Sequence, residues 1–115
     1  MGPTFKRTTV MVANGTAQPL QLAPAWQHRY PAGPCMLEYT LVATTAGVEY
    51  EVTSGSEVLI QRGPVSSGGT AGVYPAFQDN KDQIGVYAGQ EIAFTYFEIL
   101  AGTPSVMLEI HLNPI

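Results

Sequence analysis

The stretch that decides the fold is Val106-Met-Leu-Glu-Ile-His-Leu112. Every second residue from Val106 to Leu112 is apolar, with Glu109 and His111 standing between apolar neighbours. Side chains of a β-strand point alternately to its two sides, so the apolar row would share one face. The stretch therefore predicts a strand with one buried face. Its His111, on the opposite face, would be a solvated or interface histidine.

The same period of two recurs along most of the chain. Further predicted strands are Lys6–Val12, Cys35–Ala43, Val48–Thr53, Glu57–Arg62, Gln83–Tyr87 and Glu91–Ile99. These segments are rich in Val, Ile, Thr, Tyr and Phe, which suit a pleated surface. No segment of helical length shows a period of 3.6 residues.

Short turn signals separate the predicted strands. They are Asn14-Gly15, Ala46-Gly47, Ser54-Gly55, Ala88-Gly89 and Ala101-Gly102-Thr103-Pro104. Glycine supplies positive φ values in tight turns, and proline stops a strand. The pattern predicts an all-β protein: a single antiparallel β-sandwich, jelly-roll or Ig-like, of about 7–8 short strands. Residues 1–115 would form one domain with a short N-terminal arm, residues 1–5.

Two stretches interrupt the alternation. Gln18–Pro34 contains four of the nine prolines and the only tryptophan, Trp26. It would run extended over the surface or cross between the sheets. Gly63–Gln78 is rich in glycine and reads as a long exposed loop. Long loops on a rigid scaffold are common binding sites.

The composition excludes several classes of partner. With 45% hydrophobic and 12% charged residues, the chain is globular in composition. Its five basic residues are scattered and face nine acidic ones, for a net charge of −4, so a nucleic-acid partner is not expected. So few charges also suggest that another protein covers part of the surface. We expect no signal peptide and no membrane span, and synthesis in a cytosolic, reducing compartment.

Motifs that would indicate chemistry are incomplete. Gly63–Thr70 has the spacing of a phosphate-binding loop but lacks its lysine and a following helix. His28 and His111 have no further ligand at metal-binding spacing. Cys35 is the only cysteine and begins an apolar strand, where a buried, inert thiol is expected.

Acidic residues give no catalytic pattern either. Glu49 and Glu51 alternate with apolar residues, which places both on the solvent side of a sheet rather than in a cleft. Asp79-Asn80-Lys81-Asp82 loosely resembles a calcium-binding turn but lacks the spaced ligands of one, so an ordinary turn is expected. We therefore predict no catalytic, cofactor-binding or metal-binding residues, and a protein that is not an enzyme.

The order of these features resembles a known family. A basic start (Thr4-Phe-Lys-Arg7), a strand and Asn14-Gly15 precede the Pro-rich crossing. Compact strands, the segment Ala88-Gly-Gln-Glu-Ile92 and a last hairpin through Ala101–Pro104 follow. In this respect the chain is similar to the small β-sandwich virion proteins of tailed bacteriophages, especially head decoration (cement) and capsid accessory proteins.

The resemblance implies a mechanical function in the virion. The protein would bind a phage capsid surface and stabilise it against the pressure of packaged DNA. Its partner would be the major capsid protein or another virion protein. A homo-oligomer is expected, for which a trimer is one arrangement.

The residues predicted for the interface are the aromatic and basic anchors that dominate many protein contacts, together with one valine. They are Phe5, Lys6, Arg7, Trp26, Arg29, Tyr30, Val73, Tyr74 and Phe77. A purely structural role is the alternative for each. In particular, Trp26 could instead cap the core while His28 and Arg29 face water.

Two other classes of function remain open at this point. In a carbohydrate-binding or host-recognition module of a virion fibre, Trp26, Tyr30 and Tyr74 would stack on sugar rings. The chain could also be a sandwich subunit of a non-viral assembly.

Overall fold

The computed structural model describes residues 2–115, and its regular secondary structure is almost entirely β-strand. The strands are β1 (Thr4–Val10), β2 (Thr16–Ala17), β3 (Cys35–Ala43), β4 (Val48–Ser54), β5 (Glu57–Pro64), β6 (Asp82–Val86), β7 (Ile92–Glu98) and β8 (Ser105–Pro114). A 3₁₀ turn at Gln27–Arg29 and a four-residue helix, α1 (Phe77–Asn80), complete the described elements.

The strands form two antiparallel sheets of four strands each. Sheet 1 has the order β1-β8-β3-β6 and sheet 2 the order β2-β7-β4-β5. β1 pairs with β8, β2 with β7, β3 with β6 and β4 with β5, as if one long hairpin were wrapped into two layers. The predicted all-β sandwich is confirmed, and this order is that of a jelly roll rather than an Ig-like sandwich.

The core lies between the facing sides of the two sheets. Leu108 and Ile110 of β8 are fully buried, as are Val52 and Phe94 of sheet 2. Tyr39 of β3 meets the Phe94 ring edge-on, with 5.2 Å between ring centroids. The apolar row predicted in Val106–Leu112 is thus one wall of the core.

The first strand differs from its predicted bounds. β1 begins at Thr4, and Phe5, which was expected in a terminal arm, pairs with Ile110. The reason is that the Phe5 ring packs against Trp26, with centroids 5.2 Å apart. The pairing holds residues 4 and 5 of the expected arm in sheet 1. Residue 1 lies outside the described residues.

A positive φ value occurs in each of the five predicted turns, but not always at glycine. Gly47, Gly55 and Gly89 have φ of 107°, 60° and 74°. In the other two turns the residues with positive φ are Asn14 (55°) and Ala101 (56°), each followed by glycine. Asparagine tolerates this region because its short polar side chain can hydrogen-bond locally.

The long loop after β5 lies across the outer face of sheet 1. Most of its residues are exposed, as predicted, but Val65 is buried in the core. Phe77 stacks on His111, with ring centroids 3.7 Å apart and planes 10° apart. His111 is therefore not the solvated histidine that was one of the two expectations: its side chain is only 20% exposed and lies under the Phe77 ring.

Candidate functional site

An apolar groove lies at the end of the sandwich where β1 and β3 begin and β8 ends. It encloses about 320 Å³. Prolines and two ring side chains form most of its lining, namely Pro3, His28, Tyr30, Pro31, Pro34 and Pro114. We call it the Tyr30 groove. Its lining is more apolar than that of the depression beside Thr95 and Phe97 or the one beside Glu57 and Tyr87.

The Tyr30 groove is held by backbone contacts on both sides. The Gly89 amide donates to the Pro31 carbonyl at 2.8 Å, and the Ile115 amide donates to the Pro34 carbonyl at 3.2 Å. Proline also fixes its own φ, so this part of the crossing has few alternative conformations. The shape of the groove is therefore set before any partner binds.

Tyr30 stands at the rim, and the residue is 51% exposed. The Arg29 guanidinium lies 5.1 Å from the centre of the Tyr30 ring. Arg29 also donates from Nε to Glu91 Oε2 at 2.9 Å and from Nη1 to the Trp26 carbonyl at 2.8 Å. The hydrogen bond from Arg29 lowers the pKa of the Glu91 carboxyl. Arg29 thus makes its hydrogen bonds within the chain. Its guanidinium, held by these bonds, lies against the Tyr30 ring.

Cys35 and Leu112 lie at the floor of the groove. Cys35 is buried, and its Sγ–H donates to the Gly33 carbonyl at 3.1 Å. The predicted burial of this thiol is confirmed. The floor is therefore apolar, and the groove suits an apolar or aromatic side chain better than a charged group.

The rest of the crossing is tied to β1. Arg7 donates to the carbonyls of Pro19, Leu22 and Pro24 at 2.6, 3.0 and 2.9 Å. Trp26 is only 8% exposed and packs against the core. Trp26 is thus buried and His28 exposed, as in the capping alternative, but Arg29 binds Glu91 instead of facing water.

A polar network occupies the outer face of sheet 1 beneath the long loop. The Glu38 carboxylate accepts hydrogen bonds from Lys81 (2.7 Å), Gln83 (2.5 Å) and Asn113 (2.6 Å). The hydrogen bond from Lys81 is the main cause that lowers the pKa of Glu38. The three donors favour the charged form of this carboxylate and fill its acceptor positions. This fits a structural role rather than acid–base chemistry.

Glu98 is a second carboxylate whose oxygens accept hydrogen bonds from the same chain. It lies at the end of the sandwich opposite the Tyr30 groove. Glu98 Oε1 accepts from the Asn14 amide at 2.7 Å, and Oε2 accepts from the Leu100 amide at 2.9 Å. These backbone donors, Asn14 first, lower the pKa of Glu98. Around this carboxylate lies an exposed apolar tip, formed by Val10, Val12, Ile99 and Leu100.

The remaining predicted interface residues separate into different environments. Lys6 Nζ lies 5.2 Å from the centre of the Tyr74 ring, and the Tyr74 hydroxyl is 3.0 Å from Thr8 Oγ1. Phe77 covers His111, whereas Val73 is exposed on the loop. The structure thus brings Phe5 and Trp26 together in one cluster and Lys6 and Tyr74 in another, and leaves Tyr30 at the groove.

The sequence did not predict that prolines would line the groove. Nor did it predict that Glu98 would accept hydrogen bonds from two turns. Pro3 and Pro114 are 111 positions apart, and only the pairing of β1 with β8 brings them to one groove. The proline content of Gln18–Pro34 was the available signal for this site. Glu98 was not singled out, because one of its donors, the Asn14 amide, is 84 positions away and only the fold brings it beside the Leu100 amide.

Within residues 2–115 there is no cluster of three or more His, Cys, Asp or Glu side chains that could hold a metal ion. Neither helix of that region has the length and apolar composition needed to cross a membrane. Glu49 lies on the outer face of sheet 2, where its carboxylate pairs with Arg62 at 2.7 Å.

Taken together, fold and site define an eight-stranded jelly roll with an apolar groove at one end. No protein-family model matches the chain, and the search of curated proteins finds no match either.

Proposed function

We propose that this chain is a non-enzymatic virion structural protein that binds a phage capsid surface and stabilises it. The Tyr30 groove is the proposed contact. Its partner is the major capsid protein or another virion protein. The observation that carries the proposal is an apolar groove, held by backbone hydrogen bonds, with a half-exposed tyrosine at its rim.

The distribution of charge supports a binding rather than a catalytic role. Glu38, Glu91 and Glu98 have lowered pKa values, and each accepts hydrogen bonds from groups of the same chain. A general acid or base would need a pKa near the working pH. These three carboxylates hold the fold together instead.

Tyrosine in an apolar setting suits protein contacts. Such side chains combine a large apolar area with few rotatable bonds, so they lose little entropy on binding. Jelly rolls occur in viral capsid domains but also in lectin domains and cupins, so the fold alone does not assign the function. Many copies on one particle would add avidity to a modest single contact.

The carbohydrate-binding alternative has less support from the geometry. Trp26 is buried, and Tyr74 has its hydroxyl at Thr8 and its ring face near Lys6. Of the three rings expected to stack on sugars, Tyr30 alone is more than half exposed.

The test is a binding titration of the folded chain with particles from its source and, separately, with host glycans. Tyr30→Ala should weaken particle binding by about tenfold or more, as expected for an anchor aromatic. Tyr87→Ala is the matched control, because Tyr87 is 57% exposed and lies outside the Tyr30 groove.

Saturable particle binding that depends on Tyr30 and not on Tyr87 would support the proposal. A saturable response to glycans, with none to particles, would overturn it in favour of the carbohydrate-binding alternative. Equal losses in both variants would show that the groove is not the contact.

A further inference from the structure

Strand β1 is an unusually regular sheet edge. The outer strands are β1 and β6 in sheet 1 and β2 and β5 in sheet 2. β2 has two residues, β6 has five, and β5 pairs with register shifts and ends at Pro64. β1 has seven residues and pairs with β8 without a shift. Proteins blunt edges with short strands, bulges and proline, and β1 has none of these features.

The outward backbone groups of β1 follow from its pairing with β8. The Leu112 amide donates to the Pro3 carbonyl, and the Met11 amide donates to the Pro104 carbonyl. Hydrogen-bonded pairs alternate along an antiparallel ladder, so the odd residues of β1 face β8. The amides and carbonyls of Thr4, Lys6, Thr8 and Val10 therefore point away from the sheet.

We propose that this edge binds the same edge of a second copy of the chain. The two β1 strands would run antiparallel about a twofold axis and join the two copies of sheet 1 into one. This inference goes beyond the proposed function and does not depend on it, since self-pairing needs no capsid.

Like-charge repulsion and strand overlap together select one register of β1. Axes at Phe5 or Thr9 would pair only three residues of β1, whereas an axis at Thr8 pairs five, Lys6 to Val10. A twofold axis at Lys6 would set Lys6 opposite Lys6, and an axis at Arg7 would set Arg7 opposite Arg7. Like charges directly opposite each other destabilise a pair of strands. An axis at Thr8 sets Thr8 opposite Thr8, Lys6 opposite Val10 and Arg7 opposite Thr9. In this register no like charges face each other within β1, and the outward amides and carbonyls bond to each other.

The side chains of β1 favour a second copy over an acidic partner. Lys6 Nζ already has a carboxylate, Glu109 Oε1, at 4.0 Å in its own chain. Arg7 is occupied by the carbonyls of the crossing. Both basic side chains of β1 therefore already have partners within their own chain. Val10, which is 66% exposed, would be covered by the aliphatic stem of Lys6 from the second copy.

A proline substitution at the axis tests the pairing. Thr8→Pro removes an outward amide but no bond to β8, and proline is tolerated at such edge positions. Sedimentation velocity should show a concentration-dependent dimer for the unmodified chain, with the dissociation constant raised about tenfold or more by Thr8→Pro. Thr8→Val is the matched control: it also loses the Tyr74 contact but keeps the amide, so its dimer should persist.

A cysteine cross-link tests the register. Thr8→Cys should give a covalent dimer on mild oxidation, because residue 8 faces itself across the axis. Lys6→Cys, on the same row, should not, and the native Cys35 is buried. A monomer at all concentrations, a dimer insensitive to Thr8→Pro, or cross-linking of Lys6→Cys instead of Thr8→Cys would each overturn the proposal.

Discussion

Single side chains in this jelly roll act mainly by tying distant loops together. Glu98 collects backbone amides from the turn after β1 and the turn after β7, and Arg7 collects carbonyls of the crossing. From the sequence, Arg7 was predicted as an interface residue because arginine is common at protein contacts. The sequence could not show that three carbonyls distant in sequence lie within reach of the guanidinium.

Glu98→Gln tests the hydrogen bonds of Glu98 at the apolar tip. Glutamine offers one acceptor oxygen and an NH₂ group that cannot accept, so the melting temperature at pH 7 should fall. The wild-type pKa of Glu98 is lowered from 4.5, so its contribution is present above pH 4.5 and is lost as the pH falls through the lower, folded-state pKa. Thermal melts between pH 7 and pH 3 should therefore converge for the two proteins.

The exposed Glu57 provides the control for that measurement. Glu57→Gln should change the free energy of unfolding at pH 7 by no more than about 0.5 kcal/mol. Its melting temperature should therefore stay close to that of wild type. A constant gap between wild type and Glu98→Gln across the whole pH range would contradict the role given to the Glu98 charge.

At the level of elements, alternation predicted the strands well and failed where both sides of a strand are covered. β8 has the predicted apolar face, but Met107 and Glu109 on its other face are also buried. β3 shows the same pattern at Glu38 and Thr40. A period of two identifies the face that packs on the other sheet, but a polar outer face gives no sign that a loop will cover it.

Phe77→Ala tests how the long loop is held on sheet 1. The substitution removes the ring stacked on His111, so the loop should open more often and the protein should lose roughly 1–2 kcal/mol of stability, less than for a fully buried ring. Hydrogen exchange over residues 66–81 should become faster. Val73→Ala, at an exposed position of the same loop, should change neither quantity measurably. Unchanged exchange in Phe77→Ala would show that other contacts hold the loop.

At the scale of the whole molecule, the β-sandwich could be predicted from the sequence, but the order of the strands in its two sheets could not. The period of two and the turns between strands indicate how many strands there are, whereas strand order depends on contacts such as β1 with β8, at opposite ends of the chain. The Tyr30 groove has the same origin. Tyr30 was identified from composition, but the prolines around it meet only after the jelly roll closes.

The central proposal is that this jelly roll is a structural part of a virus particle. The most direct measurement is gradient centrifugation of the native protein from its source, with its copy number per particle counted. The account predicts that the chain sediments with intact particles at a fixed copy ratio and that Tyr30→Ala lowers this ratio. Recovery of the chain in a cellular complex, in fractions without particles, would contradict it.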